Sequence, residues 1–238
     1  MYYNLGPLFA VAHVEKVTLR NSYGEKLVGL LHETESAELV ILCHGLGSSK
    51  ESSTIVSLVS ALVKEGISVF HFDFAGNGES EGSFQFGNYS REVEDLHAVV
   101  LYFSGAKHVI SAILGHSKGE VQYRVTEDSL MERLSTDIHA ASLTIGKNCS
   151  CSTSSVSCFI IYRCVIANKK KYRVLTVHGS MDEVIPVEDA SEFAKIISNH
   201  KLHIVEGANH CYTEHEVELA EAVLDFIKGR DSPISGNQ

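Results

Sequence analysis

The feature that most constrains the fold is an alternation between apolar, strand-like runs and segments of helical character. Five runs are strand-like: ELVILCHG (38–45), ISVFHFDF (67–74), HVISAILGHS (108–117), RVLTVHG (173–179) and HKLHIVEG (200–207), and the first three are nearly continuous in Val, Ile, Leu and Phe. Such continuous runs are typical of strands that are covered on both faces. Their alternation with helices favours an α/β fold with a doubly wound, mostly parallel sheet.

The segments around these runs complete a single predicted domain over residues 1–238. Helices are predicted at about 51–64, 89–104, 188–198 and 213–228. Two earlier runs, 15–21 and 25–33, are separated by Ser22-Tyr23-Gly24 and predict a hairpin. With 238 residues, 44% of them hydrophobic, the chain can bury a sizeable core. The polar stretch 229–238 is expected to form a frayed tail.

Charge and cysteine usage exclude several classes of function. The formal net charge of −10 argues against nucleic-acid and anionic-membrane partners, which require concentrated Lys and Arg. The apolar run CFIIYRCVI is interrupted by Arg163 and is too short to span a bilayer. The first residues lack the pattern of a signal peptide, so a cytoplasmic location with free thiols is expected. The six cysteines include no C-x-x-C pair, and no metal site is expected.

The segment Gly115-His-Ser-Lys-Gly119 predicts a nucleophilic serine. It fits the pattern G-x-S-x-G and lies between an apolar strand and the segment after it. In this pattern a sharp turn presents a serine hydroxyl, and the glycines leave room for a strained backbone. We therefore take Ser117 as the candidate nucleophile, against the alternative of an ordinary turn at the end of a strand.

A serine nucleophile requires a base and a carboxylate that orients the base. Among 13 histidines, His210 is the best candidate because it follows the last predicted strand and precedes the last helix. His215 is expected inside that helix. His44 and His116 flank the glycine and serine motifs, where turn packing explains them better. Asp182, in the loop after RVLTVHG, is preferred over Glu183 as the acid.

Two glycine-containing loops follow other predicted strands. The loop His44-Gly-Leu-Gly-Ser-Ser can direct a backbone N–H to the oxyanion that forms when serine attacks a carbonyl. Leu46 and Lys118 are the candidate donors through their backbone N–H groups. Asp73 begins the turn DFAGNGES, in which its carboxylate is expected to cap backbone groups.

Taken together, five motifs resemble the α/β-hydrolase superfamily, in particular its serine aminopeptidase-like and feruloyl (cinnamoyl) esterase-like members as found in plants. These motifs are HGLGSSKES, FHFDFAGNGESEGSFQFGNY, LGHSKG, VLTVHGSMDEVIPVEDA and HIVEGANHCYT. The resemblance covers residues 12–119 and 173–228. It implies a triad of Ser117, Asp182 and His210 and an oxyanion hole formed by Leu46 and Lys118. It also implies no cofactor or metal, and a small carboxylic ester as substrate.

The chain departs from this family between the nucleophile and the acid. After Gly119 the expected helix, the following strand and most of the cap over the pocket are missing, and residues 120–172 are atypical. The Ser- and Cys-rich stretch 150–172 contains CFIIYRCVI, which could replace the lost strand. Two readings remain open. One is a serine esterase, and the other is a ligand-binding protein without turnover or an inactive product of altered splicing or a faulty gene model.

Overall fold

The fold is built from eight strands and four helices in the part of the chain that the structure describes. The computed structural model describes residues 12–104, 108–117, 159–163, 173–196 and 200–230, with only the backbone described at 159–163 and 192–196. The strands are β1 (His13–Arg20), β2 (Lys26–Glu33), β3 (Glu38–Cys43), β4 (Ser68–Asp73), β5 (Val109–Gly115), β6 (Phe159–Arg163), β7 (Arg173–Gly179) and β8 (His200–Val205). The helices are α1 (Ser53–Lys64), α2 (Tyr89–Ser104), α3 (Val187–Ile196) and α4 (Glu216–Lys228).

All eight strands form one sheet in the order β1-β2-β4-β3-β5-β6-β7-β8. The N-terminal hairpin is confirmed, since β1 and β2 pair antiparallel across the turn at Gly24, whose φ is 78°. Strand β3 pairs parallel with both β4 and β5, and β7 pairs parallel with β8. The carboxyl ends of these strands therefore meet along one edge of the sheet, where open α/β sheets place their ligands.

The core lies on both faces of the sheet, as the continuous apolar runs predict. Alternate residues of β3 point to opposite faces. Val40 and Leu42 belong to a buried cluster with α1 and α4, whereas Leu39 and Ile41 belong to a second cluster with the hairpin and α2. The predicted α/β class is therefore confirmed, with helices packed on both faces of the sheet. Within the described ranges, no helix combines the length and apolar character needed to cross a bilayer.

Strand β6, like β2, runs antiparallel to both of its neighbours in the sheet. It comes from the segment CFIIYRCVI and lies between β5 and β7. The sequence analysis suggested that this segment could replace the strand that the resemblance implies is lost. Strand β6 pairs antiparallel with both neighbours, through three residue pairs with β5 and five with β7. The sheet is therefore mixed, and an atypical segment occupies the gap. The rest of the atypical region, 120–158 and 164–172, lies outside the described residues, as does the side chain of Arg163.

Candidate active site

The turn after β5 carries Ser117 in an unusual backbone conformation. Ser117 has a positive φ of 27°, which is uncommon for a residue other than glycine. Gly45 lies opposite, where an added Cβ would come within 2.8 Å of the Ser117 carbonyl oxygen. The close approach of these two loops therefore requires glycine at position 45. At Gly115, by contrast, an added Cβ would meet no atom of the described residues within 4 Å.

His210 bridges the serine and the acid. Its Nε2 lies 2.7 Å from Ser117 Oγ, and its Nδ1 lies 2.8 Å from Asp182 Oδ2. Because an ionised carboxylate only accepts hydrogen bonds, Nδ1–H donates to Asp182. Nε2 is then an acceptor, and the Ser117 hydroxyl donates to it. The structure thus brings three predicted residues together in a continuous hydrogen-bonded chain, arranged as nucleophilic catalysis requires.

Asp182 is held by its own loop as well as by His210. Its Oδ1 accepts hydrogen bonds from the backbone N–H groups of Val184 and Ile185, each at 2.8 Å. Burial raises the pKa of Asp182, but the hydrogen bonds from His210, Ile185 and Val184 outweigh it and hold the pKa below the usual 3.8. The carboxylate is therefore ionised at neutral pH, in a fixed orientation.

The loops that carry Asp182 and His210 are bonded directly to each other. Met181 N–H donates to Ala208 O at 3.0 Å, and Gly207 N–H donates to Ser180 Oγ at 2.8 Å. An added Cβ on Gly179 would lie 2.3 Å from the carbonyl oxygen of Ala208, so only glycine fits at this contact. The acid and the histidine therefore belong to one bonded unit.

The competing candidates have other contacts. Glu183 accepts a hydrogen bond from the backbone N–H of His210 at 3.3 Å, and no contact joins its carboxylate to the imidazole. His215 precedes α4 rather than lying inside it, as the sequence analysis expected, and its Nδ1 is 3.5 Å from Glu218. Of the two histidines, His210 contacts Ser117, and of the two acids, Asp182 contacts the His210 imidazole.

His44 and His116 have contacts typical of turn packing. His44 Nε2 accepts the N–H of Phe74 at 3.1 Å, so its Nδ1–H donates to Gly45 O at 2.7 Å. His116 Nε2–H donates to the backbone carbonyl of His210 at 3.2 Å. These contacts agree with the packing roles expected for both histidines.

The two predicted oxyanion donors are Leu46 N–H and Lys118 N–H, and the structure describes only the first of them. Leu46 N–H donates to the backbone carbonyl of Ser117 at 2.9 Å, and so is engaged within the protein. Lys118 lies outside the described residues. In this conformation, the Leu46 N–H becomes available to a substrate oxyanion only if the Ser117 carbonyl moves away.

Two buried residues near the site were missed by the sequence analysis. The Lys50 side chain is 2% exposed and pairs with Asp73 and Glu79. His178 donates from Nε2 to Ile185 O at 3.1 Å and lies 3.7 Å from Asp182 Oδ2. His178 adjoins Gly179 at the end of an apolar strand, a position that places it beside the acid loop. For Lys50, the signal was a cation directly after a glycine-rich loop.

No group of three or more His, Cys, Asp and Glu residues arranged for metal binding occurs in the described ranges. Of the six cysteines, two lie there, and both Cys43 and Cys211 are free thiols. Cys149, Cys151, Cys158 and Cys164 lie outside the described residues. The expectations about their bonding therefore stay predictions.

Comparison with known proteins confirms the resemblance drawn from the motifs. Residues 34–121 match the sequence model of the family described as "Serine aminopeptidase, S33". This match covers the candidate oxyanion loop and the serine turn. Protein phosphatase methylesterase 1 from Candida albicans is 34% identical over 102 residues, which are 42% of this chain and 27% of that protein. The chain thus matches little more than a quarter of the length of this relative.

Solved structures share the fold over nearly the whole chain. Est1E from Butyrivibrio proteoclasticus, solved with ferulic acid bound, has a TM-score of 0.63 at 22% identity, covering 90% of this chain and 98% of its own. An α/β serine hydrolase without a lid from Xanthomonas campestris has a TM-score of 0.63 at 19% identity, covering 96% and 100%. The Pyrococcus furiosus esterase Pf2001 has a TM-score of 0.66 at 20% identity, covering 96% of both chains. The chain has the α/β-hydrolase fold.

Proposed function

We propose that this chain is a serine esterase that cleaves small carboxylic esters through an acyl-enzyme intermediate. Ser117 is the nucleophile, His210 the general base and then the general acid, and Asp182 the carboxylate that orients the imidazole. The observation that carries the proposal is the pair of contacts at His210, 2.7 Å to Ser117 Oγ and 2.8 Å to Asp182 Oδ2. Both distances are within the reach required for proton transfer.

The reaction follows from this arrangement in two balanced halves. Ser117 Oγ attacks the ester carbonyl carbon while its proton passes to His210 Nε2, and a tetrahedral oxyanion forms. When the oxyanion collapses, the bond to the alkoxy group breaks, and the leaving alcohol takes the proton from His210. Water then attacks the acyl-enzyme with His210 again as base. The carboxylic acid leaves, and the serine hydroxyl is restored.

Stabilisation of the oxyanion requires one rearrangement. We propose Leu46 N–H and Lys118 N–H as donors, but the first is engaged with the Ser117 carbonyl at 2.9 Å. The substrate oxyanion must displace that carbonyl, and part of the binding free energy is spent on the exchange. A donor of this kind typically contributes about 2.7–4 kcal/mol to transition-state stabilisation. The cost of releasing Leu46 therefore lowers the rate directly.

The same observation supports a second candidate function. If Leu46 N–H stays bonded to Ser117 O, turnover loses one oxyanion donor, and the second candidate is a protein that binds a small ester or acid with little or no turnover. The sequence hypothesis of altered splicing or a faulty gene model predicts this outcome as well, because it places the damage directly after Gly119. Turnover, rather than binding, therefore separates the two candidates.

The test compares active-site labelling with turnover. A fluorophosphonate probe should label the wild-type chain and fail to label Ser117→Ala, and equal labelling of the two would exclude Ser117 as nucleophile. Substrates are p-nitrophenyl acetate and small methyl esters, including methyl ferulate. His210→Ala should abolish hydrolysis while the matched variant His215→Ala leaves it nearly unchanged. Labelling without hydrolysis of any of these esters would favour the non-catalytic candidate.

A further inference from the structure

The loop from His44 to Ser52 is hydrogen-bonded at two points, His44 and Lys50, to residues at the carboxyl end of β4. At its start, His44 Nε2 accepts the N–H of Phe74 at 3.1 Å. At its other end, Lys50 is bonded through its backbone and its side chain. Between the two points lies Leu46, whose N–H reaches the Ser117 carbonyl at 2.9 Å. The position of this N–H therefore depends on how firmly both ends are held.

Every polar group of Lys50 has a partner on β4 or on the turn that follows it. Its backbone N–H donates to Asp73 Oδ1 at 2.8 Å, and its ammonium donates to Asp73 Oδ2 at 2.7 Å and to Glu79 Oε2 at 2.8 Å. Its carbonyl accepts from His71 Nδ1 at 2.8 Å. His71 in turn lies 3.1 Å from His32 Nε2 on β2. The anchor thus extends through two strands of the sheet.

The burial of this cluster makes the anchor specific. The side chain of Lys50 is 2% exposed and that of Asp73 is 0% exposed. A buried ammonium without its carboxylates is very unfavourable, so Lys50 has one stable position, which is between Asp73 and Glu79. An added Cβ on Gly78 would lie 2.2 Å from Asp73 Oδ2, so the turn also leaves no room for the carboxylate to shift.

We propose that Lys50 is a positioning residue, which fixes the loop 45–49 and thereby the Leu46 N–H that serves the oxyanion. The proposal rests on the esterase function only for its catalytic consequence. The anchoring itself is a property of the loop and has its own measurement.

Anchoring is tested by amide hydrogen exchange on the full chain. Lys50→Met keeps the unbranched, apolar part of the side chain and removes its charged end, and it should accelerate exchange in the peptide covering 45–49 by about tenfold or more. The hairpin β1–β2 should exchange as in wild type. Lys16→Met is the matched control, because exposed Lys16 also pairs with Glu79, at 2.5 Å, but has no contact with the loop. Unchanged exchange at 45–49 in Lys50→Met would overturn the proposal.

The catalytic consequence is tested by a separation of kcat from KM. Lys50→Met should lower kcat by about tenfold to a hundredfold, below the full loss of one oxyanion donor, with KM within about threefold. Lys50→Arg should recover part of the rate, and Lys16→Met should retain it. Equal kcat in Lys50→Met and wild type would show that Lys50 has no role in the reaction.

Two further measurements distinguish a failure of the anchoring proposal from a folding defect and from a failure of the proposed esterase function. If Lys50→Met does not fold, Glu79→Gln, which leaves the Lys50–Asp73 pair intact, should accelerate exchange at 45–49 by a smaller factor, about threefold. Unchanged exchange in that folded variant would overturn the anchor. If wild type neither labels nor hydrolyses esters, the proposed function has failed, whereas faster exchange in Lys50→Met would still establish the anchor.

Discussion

Replacement of Asp182 by Asn should reduce turnover far more than it reduces stability. The Asn side chain has nearly the same shape, and its carbonyl oxygen can still accept the N–H groups of Val184 and Ile185, which Asp182 Oδ1 accepts at 2.8 Å. The amide NH₂ then faces His210 Nδ1 in place of Oδ2. Since NH₂ is a donor, Nδ1 must become the acceptor, and the proton moves to Nε2. Nε2–H can no longer accept the Ser117 proton.

The magnitude follows from the loss of the correct tautomer. In serine hydrolases this change costs about 10⁴-fold in kcat. At about 1.36 kcal/mol for each factor of ten, that corresponds to roughly 5 kcal/mol of transition-state stabilisation. The unfolding midpoint should change little, because the two loop hydrogen bonds are retained. Since the pKa of Asp182 lies below 3.8 despite its burial, an assay at pH 7 compares a fully ionised carboxylate with a neutral amide.

The assay is p-nitrophenyl acetate hydrolysis beside a thermal unfolding scan, with Glu183→Gln as the matched control. Among the described residues, the Glu183 carboxylate is hydrogen-bonded to the backbone N–H of His210 at 3.3 Å and not to its imidazole, so Glu183→Gln should keep kcat within about threefold. The reasoning is refuted if Asp182→Asn retains more than about a tenth of the wild-type kcat. It is also refuted if Glu183→Gln falls as far.

Three other changes probe the surrounding structure. Gly179→Ala should lower both kcat and the unfolding midpoint, because the new Cβ would lie 2.3 Å from Ala208 O; wild-type values for both would contradict the close contact. Tyr212→Phe should cost about 1–3 kcal/mol in chemical unfolding, because the 2.7 Å bond to Val177 O is lost. Burial lowers the pKa of His71 from 6.5 to about 4. As the pH falls, this histidine is protonated in the unfolded chain before it is protonated in the folded one. The free energy of unfolding should therefore decline by up to about 3 kcal/mol between pH 6.5 and pH 4. His71→Gln should flatten that decline, and an unchanged slope would show that another group causes it.

The part of the fold that sequence reasoning could predict is the part governed by local pattern. Strands such as β3 are apolar at every position because both faces are covered, and that signal needs no knowledge of partners. The nucleophile turn and the loops of Asp182 and His210 follow predicted strands, so parallel pairing brings them to one edge. The order of strands and helices along the chain was therefore enough to predict that Ser117, Asp182 and His210 lie at the same edge of the sheet.

The features that sequence could not predict depend on contacts between distant segments. The burial of Lys50 depends on Asp73 and Glu79, which follow it by 23 and 29 residues. The bond from Leu46 N–H to Ser117 O depends on the backbone orientation of one residue, which no residue type encodes. The antiparallel direction of β6 depends on where the chain enters the sheet. An apolar run has the same appearance in either direction.

The position of β6 explains how the atypical segment is compatible with a hydrogen bond between Ser117 and His210. Asp182 follows β7 and His210 follows β8, and their loops form one bonded unit, whereas Ser117 follows β5, two strand spacings from β7. Neighbouring strands lie about 4.8 Å apart whether they run parallel or antiparallel. Strand β6 therefore acts as a spacer whose width, rather than its sequence or direction, sets the distance across which His210 reaches Ser117. Many different sequences can fill such a gap, provided that each forms one strand.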